Sequence, residues 1–534
     1  MQREGEAMKI DRMRHLAQKG KMSRREFVQL ALAAGVTVAT AEVMFVEAVR
    51  AEPKKGGFFR AAVGHGETTD SLDPALWGNS HEANVGFMIA SMLTEIDQKN
   101  SVVPGLAESW EASDGAKKWV FKLRKGVTFH NGKTLDSGDV VATYNHHRNP
   151  DAKSAVKSVL DQVEDVKADG PDTVIFTLKS GSADFPYVAS DYHLPIFAAK
   201  DDKIDWQSGI GTGPFVLERY EPGVTAKLKR NPNFFRNDGP YFDEVELLSV
   251  VDVAARTAAL QTGDIHYIDR CDLKTISLLE QNPDLKITNV TGFAHYVVPM
   301  DVRVAPFDNP DIRNALKFAI DREEILKKVL LGYGQAGNDT PLAPSIKFAT
   351  NPEPVHKYDP DKVKFHLGKA GVTSLKVDLS TADTAFAGAV DAALLMKEQA
   401  AKHGIEINVV KEANDGYWSN VWMKKPWCFS YWQGRPTADW MLTTAYAADA
   451  EWNDTAWKNP KFNELLVAAR AETDEAKRAA AYAEMQTILH DDGGIIVLMF
   501  NNYVSAHSAK VAHGDLNSNF DMDGGYLYSR WWFA

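Results

Sequence analysis

Residues Leu106 to His146 read LAESWEASDGAKKWVFKLRKGVTFHNGKTLDSGDVVATYNH, and three local signals sit inside them. Trp119, Phe121 and Leu123 alternate with Val120, Lys122 and Arg124, the period-two pattern of a half-buried strand. Asn131-Gly132 then supplies two residues that tolerate positive φ, as a tight hairpin turn requires. Asp136 stands where it can cap a helix that carries Val140, Val141 and Tyr144. The block therefore predicts a strand, a hairpin and the start of a helix.

Working outward, the same alternation of element types continues. Strand-like runs fall at Phe58–Val63, Thr173–Leu178, Val245–Val251, Lys376–Leu379 and Glu406–Val410. Between them, Ile312, Ala315, Leu316, Ala319 and Ile320 recur at i, i+3, i+4, i+7 and i+8, one apolar face of a helix within Asp311–Leu331. Asp321 to Glu324 restarts that helix with a capping-box pattern. Phe462, Leu465, Leu466 and Ala469 form another core-facing stripe, and Tyr482, Met485 and Leu489 a third. The mixture predicts an α/β class. The Pro-rich stretch from Pro341 to Pro360 reads as a surface connection.

Several short segments carry a family resemblance, in order along the chain. They are Leu72-Asp73-Pro74-Ala75, Pro104-Gly105-Leu106-Ala107-Glu108-Ser109-Trp110, Gly211-Thr212-Gly213-Pro214-Phe215, Arg230-Asn231-Pro232-Asn233-Phe234-Phe235, Ala259-Leu260-Gln261-Thr262-Gly263-Asp264-Ile265 and Asp311-Ile312-Arg313-Asn314-Ala315-Leu316. Together with the opening block they resemble the family 5 extracellular solute-binding proteins, which feed peptides, nickel complexes and opines to ABC importers. The resemblance implies a two-lobed periplasmic binding protein fold of the class C type, with an extra subdomain in the first lobe and a hinge-closing cleft. It implies a first lobe over 52–271 that returns at 495–534, and a second lobe inserted over 272–494. The chain would cross near Tyr267–Leu273 and near Gly494–Asn501.

The N-terminus agrees with export. Ser23-Arg24-Arg25-Glu26-Phe27 has the form of a twin-arginine motif, followed by a fifteen-residue apolar run from Phe27 to Ala41. That run is shorter than the roughly 18–20 residues a membrane anchor needs. Residues 1–51 therefore read as a signal peptide cleaved after Ala51, which predicts a periplasmic protein that meets the twin-arginine translocase during export. Net charge is −12, with 72 acidic against 60 basic residues. A surface of that sign repels phosphate backbones and argues against nucleic acid as a partner. Thirteen tryptophans exceed what a core of this size needs, so some are expected to line a ligand site. Cys271 and Cys428 read as buried free thiols rather than a bridge, and the expected state is a monomer.

By the same resemblance the ligand lies between the lobes, and the second-lobe wall comes from Tyr431-Trp432-Gln433-Gly434-Arg435-Pro436-Thr437-Ala438-Asp439-Trp440. Peptide-binding members carry an amine-holding aspartate in this loop. Here Arg435 stands in its place, which reverses the charge offered to the ligand. A guanidinium in a closing cleft pairs with a carboxylate and repels an ammonium. Pro436 restricts Arg435 to extended backbone, which fixes its direction. On one reading Arg435 anchors an acidic group, Trp432 or Trp440 packs on an apolar portion, and Asp439 holds Arg435 or meets a cationic group. On the other, Arg435 and Asp439 form an internal ion pair that only stabilises the loop. Trp418 is a further wall candidate beside Tyr417, and Trp77 is the first-lobe candidate.

Catalytic signatures do not appear. The sequence has no Gly-x-Ser-x-Gly elbow, no His-Glu-x-x-His and no phosphate-binding Gly-Lys-Ser/Thr. Asp521-Met522-Asp523-Gly524 is similar to the start of a calcium loop but lacks the closing Glu, so neither metal nor cofactor is expected. The function these observations predict is capture of a small solute, a peptide or acidic conjugate, for an ABC permease and its ATPase. A periplasmic sensor or chaperone-like binder that presents the same closed fold to a receptor is the alternative.

Overall fold

Trp119, Phe121 and Leu123 do turn inward together, on a strand at Lys118–Leu123 whose intervening residues face out. The computed structural model describes residues 53–472 and 474–534, together with 13, 22–33, 36–38, 40 and 41. The proposed cleavage site at Val49 to Ala51 lies outside the described residues. Within them, Arg24–Ala33 is helical and Ser23 caps it, its Oγ accepting from the Glu26 amide.

The Lys118–Leu123 strand pairs with Ala107–Ser113 on one side and Thr173–Leu178 on the other, in a separate four-stranded sheet completed by Val163–Ala168. The Asn131-Gly132 turn forms, with Gly132 at φ 84°, but it closes only an isolated bridge between Thr128 and Thr134. The hairpin is a small appendage, because the strand's two edges are already taken, by Ala107–Ser113 across the local turn at 114–117 and by Thr173–Leu178 from farther along the chain. Asp136 caps the helix Ser137–Arg148 in a full capping box with Asp139.

The main sheet has nine strands. In order they are 215–221, 225–230, 244–249, 58–63, 267–268, 495–508, 285–299 and 430–432, with 334–336 also pairing to 495–508. Two long antiparallel strands, Leu285–Pro299 and Ile495–Ser508, run side by side through most of their length. At one end Tyr267–Ile268 joins them, and at the other Ser430–Trp432 does. One sheet therefore joins strands drawn from residues 58 to 508.

Beyond it, Leu375–Thr381 and Ile405–Lys411 pair in parallel, as a connection through the helix Ala389–Ala401 demands. The stripe Ile312, Ala315, Leu316, Ala319 and Ile320 is buried against this unit. Its helix is broken in two, Pro310–Phe318 and Arg322–Val329, where Asp321 accepts from the Glu324 amide. The stretch from 341 to 360 is irregular, as expected, but it is not a surface connection. Leu342, Ala343 and Ile346 enter a core that also holds Phe462, Tyr482, Met485 and Leu489. Cys271 and Cys428 are free, buried and in different cores.

Candidate functional site

Ser430–Trp432 is an edge strand, and its pleat sends Ser430 and Trp432 to one face and Tyr431 to the other. The chain then leaves the strand through Gly434 and bends at Pro436-Thr437. A Cβ on Gly434 would stand 2.2 Å from Phe293 Cβ, so only glycine lets the backbone pass. Arg435 follows, 4% exposed, and its guanidinium lies 5.9 Å from the Tyr192 ring centre and 5.6 Å from that of Trp440. Its Nη1 donates to the carbonyls of Gln433 at 3.4 Å and Gly434 at 3.2 Å, and its Nε has no partner. Among the described residues no carboxylate pairs with it.

Arg435 opens onto a cavity of about 310 Å³. One wall is aromatic, built from Tyr431, Trp432, Trp418, Trp422 and Trp452. These rings meet edge-on or tilted: Trp418 on Tyr431 at 5.2 Å, Trp422 on Trp452 at 5.8 Å and Trp432 on Trp452 at 5.9 Å. Such packing holds each ring in place while leaving a face for an apolar solute group. Gln433 completes that side.

The opposite wall comes from the loop after strand Phe58–Val63 and the start of helix Ser80–Ile89, and it is acidic: Glu67, Asp70 and Glu82. Glu82 accepts from the amides of Ser71 and Gly78 and from Asn79 Nδ2, and Asp70 accepts from Asn79 Nδ2 and the Glu67 amide. These two carboxylates build the loop. Burial, with the Asp70 charge added, pushes Glu82 up to about 8. Glu67 is less engaged, taking one long bond of 3.4 Å from Thr69 Oγ1. Burial and then Asp70 raise its carboxyl above the ordinary value.

The expected site residues separate into two groups. Tyr431, Trp432, Gln433, Arg435 and Trp418 line the cavity, and Gly434 lets the backbone pass Phe293 just before Arg435. Asp439 does not join them. It is buried beneath, with both oxygens 3.1 Å from Arg470 Nε, and Arg470 Nη2 donates to Thr443 at 2.6 Å. The internal Arg435–Asp439 pair is therefore not formed, and Asp439 neither holds Arg435 nor lines the cavity. Helix Ala438–Tyr446 explains this, since its first turn points Asp439 toward the neighbouring helix Pro460–Ala471. Trp440 backs Arg435 from the core side rather than touching the cavity. Trp77 is also core, 1% exposed, with Nε1 donating to Ser71 O at 3.0 Å and Gly86 packed against its ring. Tyr417 is core as well, its hydroxyl donating to Phe429 O at 2.9 Å.

Sequence reasoning missed Trp422, Trp452, Tyr192 and the acidic wall. The surplus of tryptophans signalled an aromatic wall without saying which rings. Among the described residues no cluster of three or more His, Cys, Asp or Glu is arranged to hold a metal ion.

Residues 101–454 match the model of bacterial extracellular solute-binding proteins, family 5. Among relatives, the oligopeptide-binding protein AppA of Bacillus subtilis is 26% identical over 482 residues, covering 84% of this chain and 86% of its own length. The glutathione-binding protein GsiB of Pectobacterium atrosepticum is 25% identical, covering 84% and 90%. Among solved structures, the periplasmic binding protein DppA of Helicobacter pylori, in complex with the peptide STSA, superposes with a TM-score of 0.81 at 23% identity, covering 89% and 98%. AgaA of Agrobacterium tumefaciens R10 in complex with agropinic acid gives 0.81 at 22%, covering 90% and 99%. The likeness to these two structures is one of fold: a two-lobed binding protein. The match over most of the chain settles membership: this protein belongs to the bacterial extracellular solute-binding proteins of family 5, the solute-capturing components of ABC importers.

Proposed function

We propose that the chain captures a small solute with an acidic group in the cavity between the aromatic and acidic walls, and that Arg435 is the anchor. One observation carries this reading. Arg435 is buried, lines the cavity and has no carboxylate partner, whereas a buried guanidinium is ordinarily neutralised by one. A solute carboxylate that arrives on cleft closure supplies the missing charge, bidentately and in a water-poor setting. The aromatic wall suits an apolar portion of the same solute. On the far side, Glu67 is the acidic group left to meet an ammonium, so peptide-like and opine-like conjugates fit better than simple fatty acids. Oligopeptides, glutathione and agropinic acid, the ligands named for the relatives, share a carboxylate.

The lobes in this reading are 52–271 with 495–534, and 272–494, the cleft lying where Ser430–Trp432 faces the 67–82 loop. Export through the twin-arginine pathway after cleavage near Ala51 places the protein in the periplasm as a monomer. It works there without catalysis and hands its solute to a permease and ATPase. The test is a thermal-shift screen of the purified chain against organic acids, opines and di- to oligopeptides. Acid-bearing compounds are expected to raise the midpoint in the wild type and not in Arg435→Gln. Equal stabilisation of both proteins by every active compound would refute the anchor.

A further inference from the structure

Behind Tyr431 and Gln433 lies a second, smaller cavity of about 60 Å³, and those two side chains line both it and the main cleft. It is polar. Asp521 faces it at 5% exposure, and neither carboxylate oxygen has a hydrogen-bond partner. Across the space, Arg270 lies over the Tyr431 ring at 5.2 Å, with Nη2 3.8 Å from Asp521, an ion-pair contact too long to be a hydrogen bond. The hydroxyl of Tyr503 donates to Gln433 Oε1 at 3.3 Å, and the Asn501 side-chain oxygen is also unpartnered.

Such a space holds a few waters or one small polar group. Its charge is balanced. Asp269 lies 3.6 Å from both Arg256 and Arg270, and Asp521 offsets the remaining charge. An added ion of either sign would upset that balance, while a neutral group that donates and accepts would satisfy both Asp521 and Arg270. The placement of Asp521 is also enforced: the next two residues, Met522 and Asp523, are non-glycine residues at φ 52° and 60°. Asp523, by contrast, is occupied, accepting from the Asn517 amide and from Trp531 Nε1. The segment that is similar to a calcium loop thus divides its two aspartates between structure and cavity.

We infer that this inner compartment is a second subsite of the ligand cleft, taking a neutral amide- or hydroxyl-bearing head of the solute whose acidic end Arg435 holds. The inference rests on the anchor reading given above. Tyr431 and Gln433 form the partition that the head group passes, which gives them a selecting role in addition to their place in the wall.

The experiment is calorimetric titration of the purified chain with straight-chain carboxylates of graded length that end in methyl, carboxamide, hydroxyl or ammonium. At one or two lengths the carboxamide or hydroxyl end is expected to bind about tenfold more tightly than methyl. Asp521→Leu, in protein that keeps the wild-type circular dichroism spectrum, is expected to erase that preference while methyl-ended binding stays. A preference that survives Asp521→Leu, or no binding by any member of the series, would overturn the subsite. Arg435→Gln separates the two readings. If it abolishes binding of the whole series while Asp521→Leu changes nothing, the subsite alone fails. If it leaves binding intact, the anchor fails with it.

Discussion

Arg322 and Arg435 are equally withdrawn from water, each 4% exposed, and their surroundings are opposites. Arg322 donates from Nε to Val497 O at 3.1 Å and from Nη1 to the carbonyls of Lys317 and His356 at 3.0 and 2.7 Å. Its Nη2 grips both oxygens of Asp339, at 2.8 and 2.9 Å. Asp339 in turn accepts from the Val497 amide and contacts His356 Nδ1 at 2.6 Å. Arg435 has two long bonds to backbone carbonyls, two rings and no carboxylate in contact; the nearby buried Asp191 carboxylate feels its charge but is bonded to His193 instead. A guanidinium that holds a fold together is saturated by the fold. One kept for a solute is oriented and left short of a partner.

The largest effect that can break this comparison is on stability. Arg322→Met leaves Asp339 buried without its guanidinium and is expected to cost about 3–5 kcal/mol in denaturant unfolding. Arg435→Met removes a buried charge that no carboxylate touches and that only the more distant Asp191 offsets, so its cost should be under about 1 kcal/mol. Equal losses would show that Arg435 is as structural as Arg322. On binding the order reverses. Arg435→Gln is expected to weaken an acid-bearing solute by about 2–5 kcal/mol, read by calorimetry.

A smaller effect tests how Arg435 is aimed. Gly434→Ala places a Cβ 2.2 Å from Phe293 Cβ and 3.1 Å from Asn519 O, so the backbone must shift. About 1–3 kcal/mol of stability should be lost, and solute affinity with it. Gly368, in the helix Pro360–Lys369, has nothing within 4 Å of its Cβ position and serves as the contrast. There, alanine should stabilise by about 0.5–1 kcal/mol through helix propensity and leave affinity unchanged. A Gly434→Ala variant that binds as the wild type does would detach Gly434 from the site.

What the sequence disclosed and what it hid follow the range of the interactions involved. Periodicity located the strand at Lys118–Leu123 and the buried stripe from Ile312 to Ile320, because each depends on a few adjacent residues. The Asn131-Gly132 turn forms for the same reason, but which strands pair in the sheet is decided also by partners such as Thr173–Leu178, distant in sequence. In the site, the resemblance and one reversed charge drew attention to Arg435. They could not show that Asp439, four residues on, turns with its helix toward Arg470, since that partner lies 31 residues away. Trp77 illustrates the same limit. A tryptophan after a recognisable loop reads the same whether its ring meets the cleft or, as here, Gly86. The acidic wall was invisible because Glu67, Asp70 and Glu82 matter only once the loop folds their carboxylates to one side.

The smallest effect sharpens the contrast through pH. Asp339 is held far below the ordinary carboxylate range, against its burial, chiefly by Arg322, so it stays ionised in all but strong acid. Three other buried carboxylates go the opposite way, with burial first among the causes: Glu82 up to about 8, and Asp454 and Asp521 up to about 7. Each is higher in the folded than in the unfolded chain, so at mildly acidic pH the native state binds more protons than the unfolded state does. Stability from this source is complete below the unfolded values and is lost as pH rises through the folded ones. Histidines act in the other sense. His147 is lowered to about 3 and His295, His356 and His507 to about 4, mainly by burial, so their protonation favours unfolding as pH falls below the ordinary value of 6.5. That contribution levels off only about one pH unit above 6.5. Lys317, lowered by burial to about 8, adds a rise of its own as pH approaches 8. The carboxylates are therefore read by difference: between pH 6.5 and 8 the unfolding midpoint of ligand-free wild type is expected to fall relative to that of Glu82→Gln combined with Asp521→Asn. A wild-type midpoint that does not fall relative to the double variant would mean that the cleft carboxylates are as well neutralised as Asp339, and that the contrast between the two arginines does not extend to the acids around them.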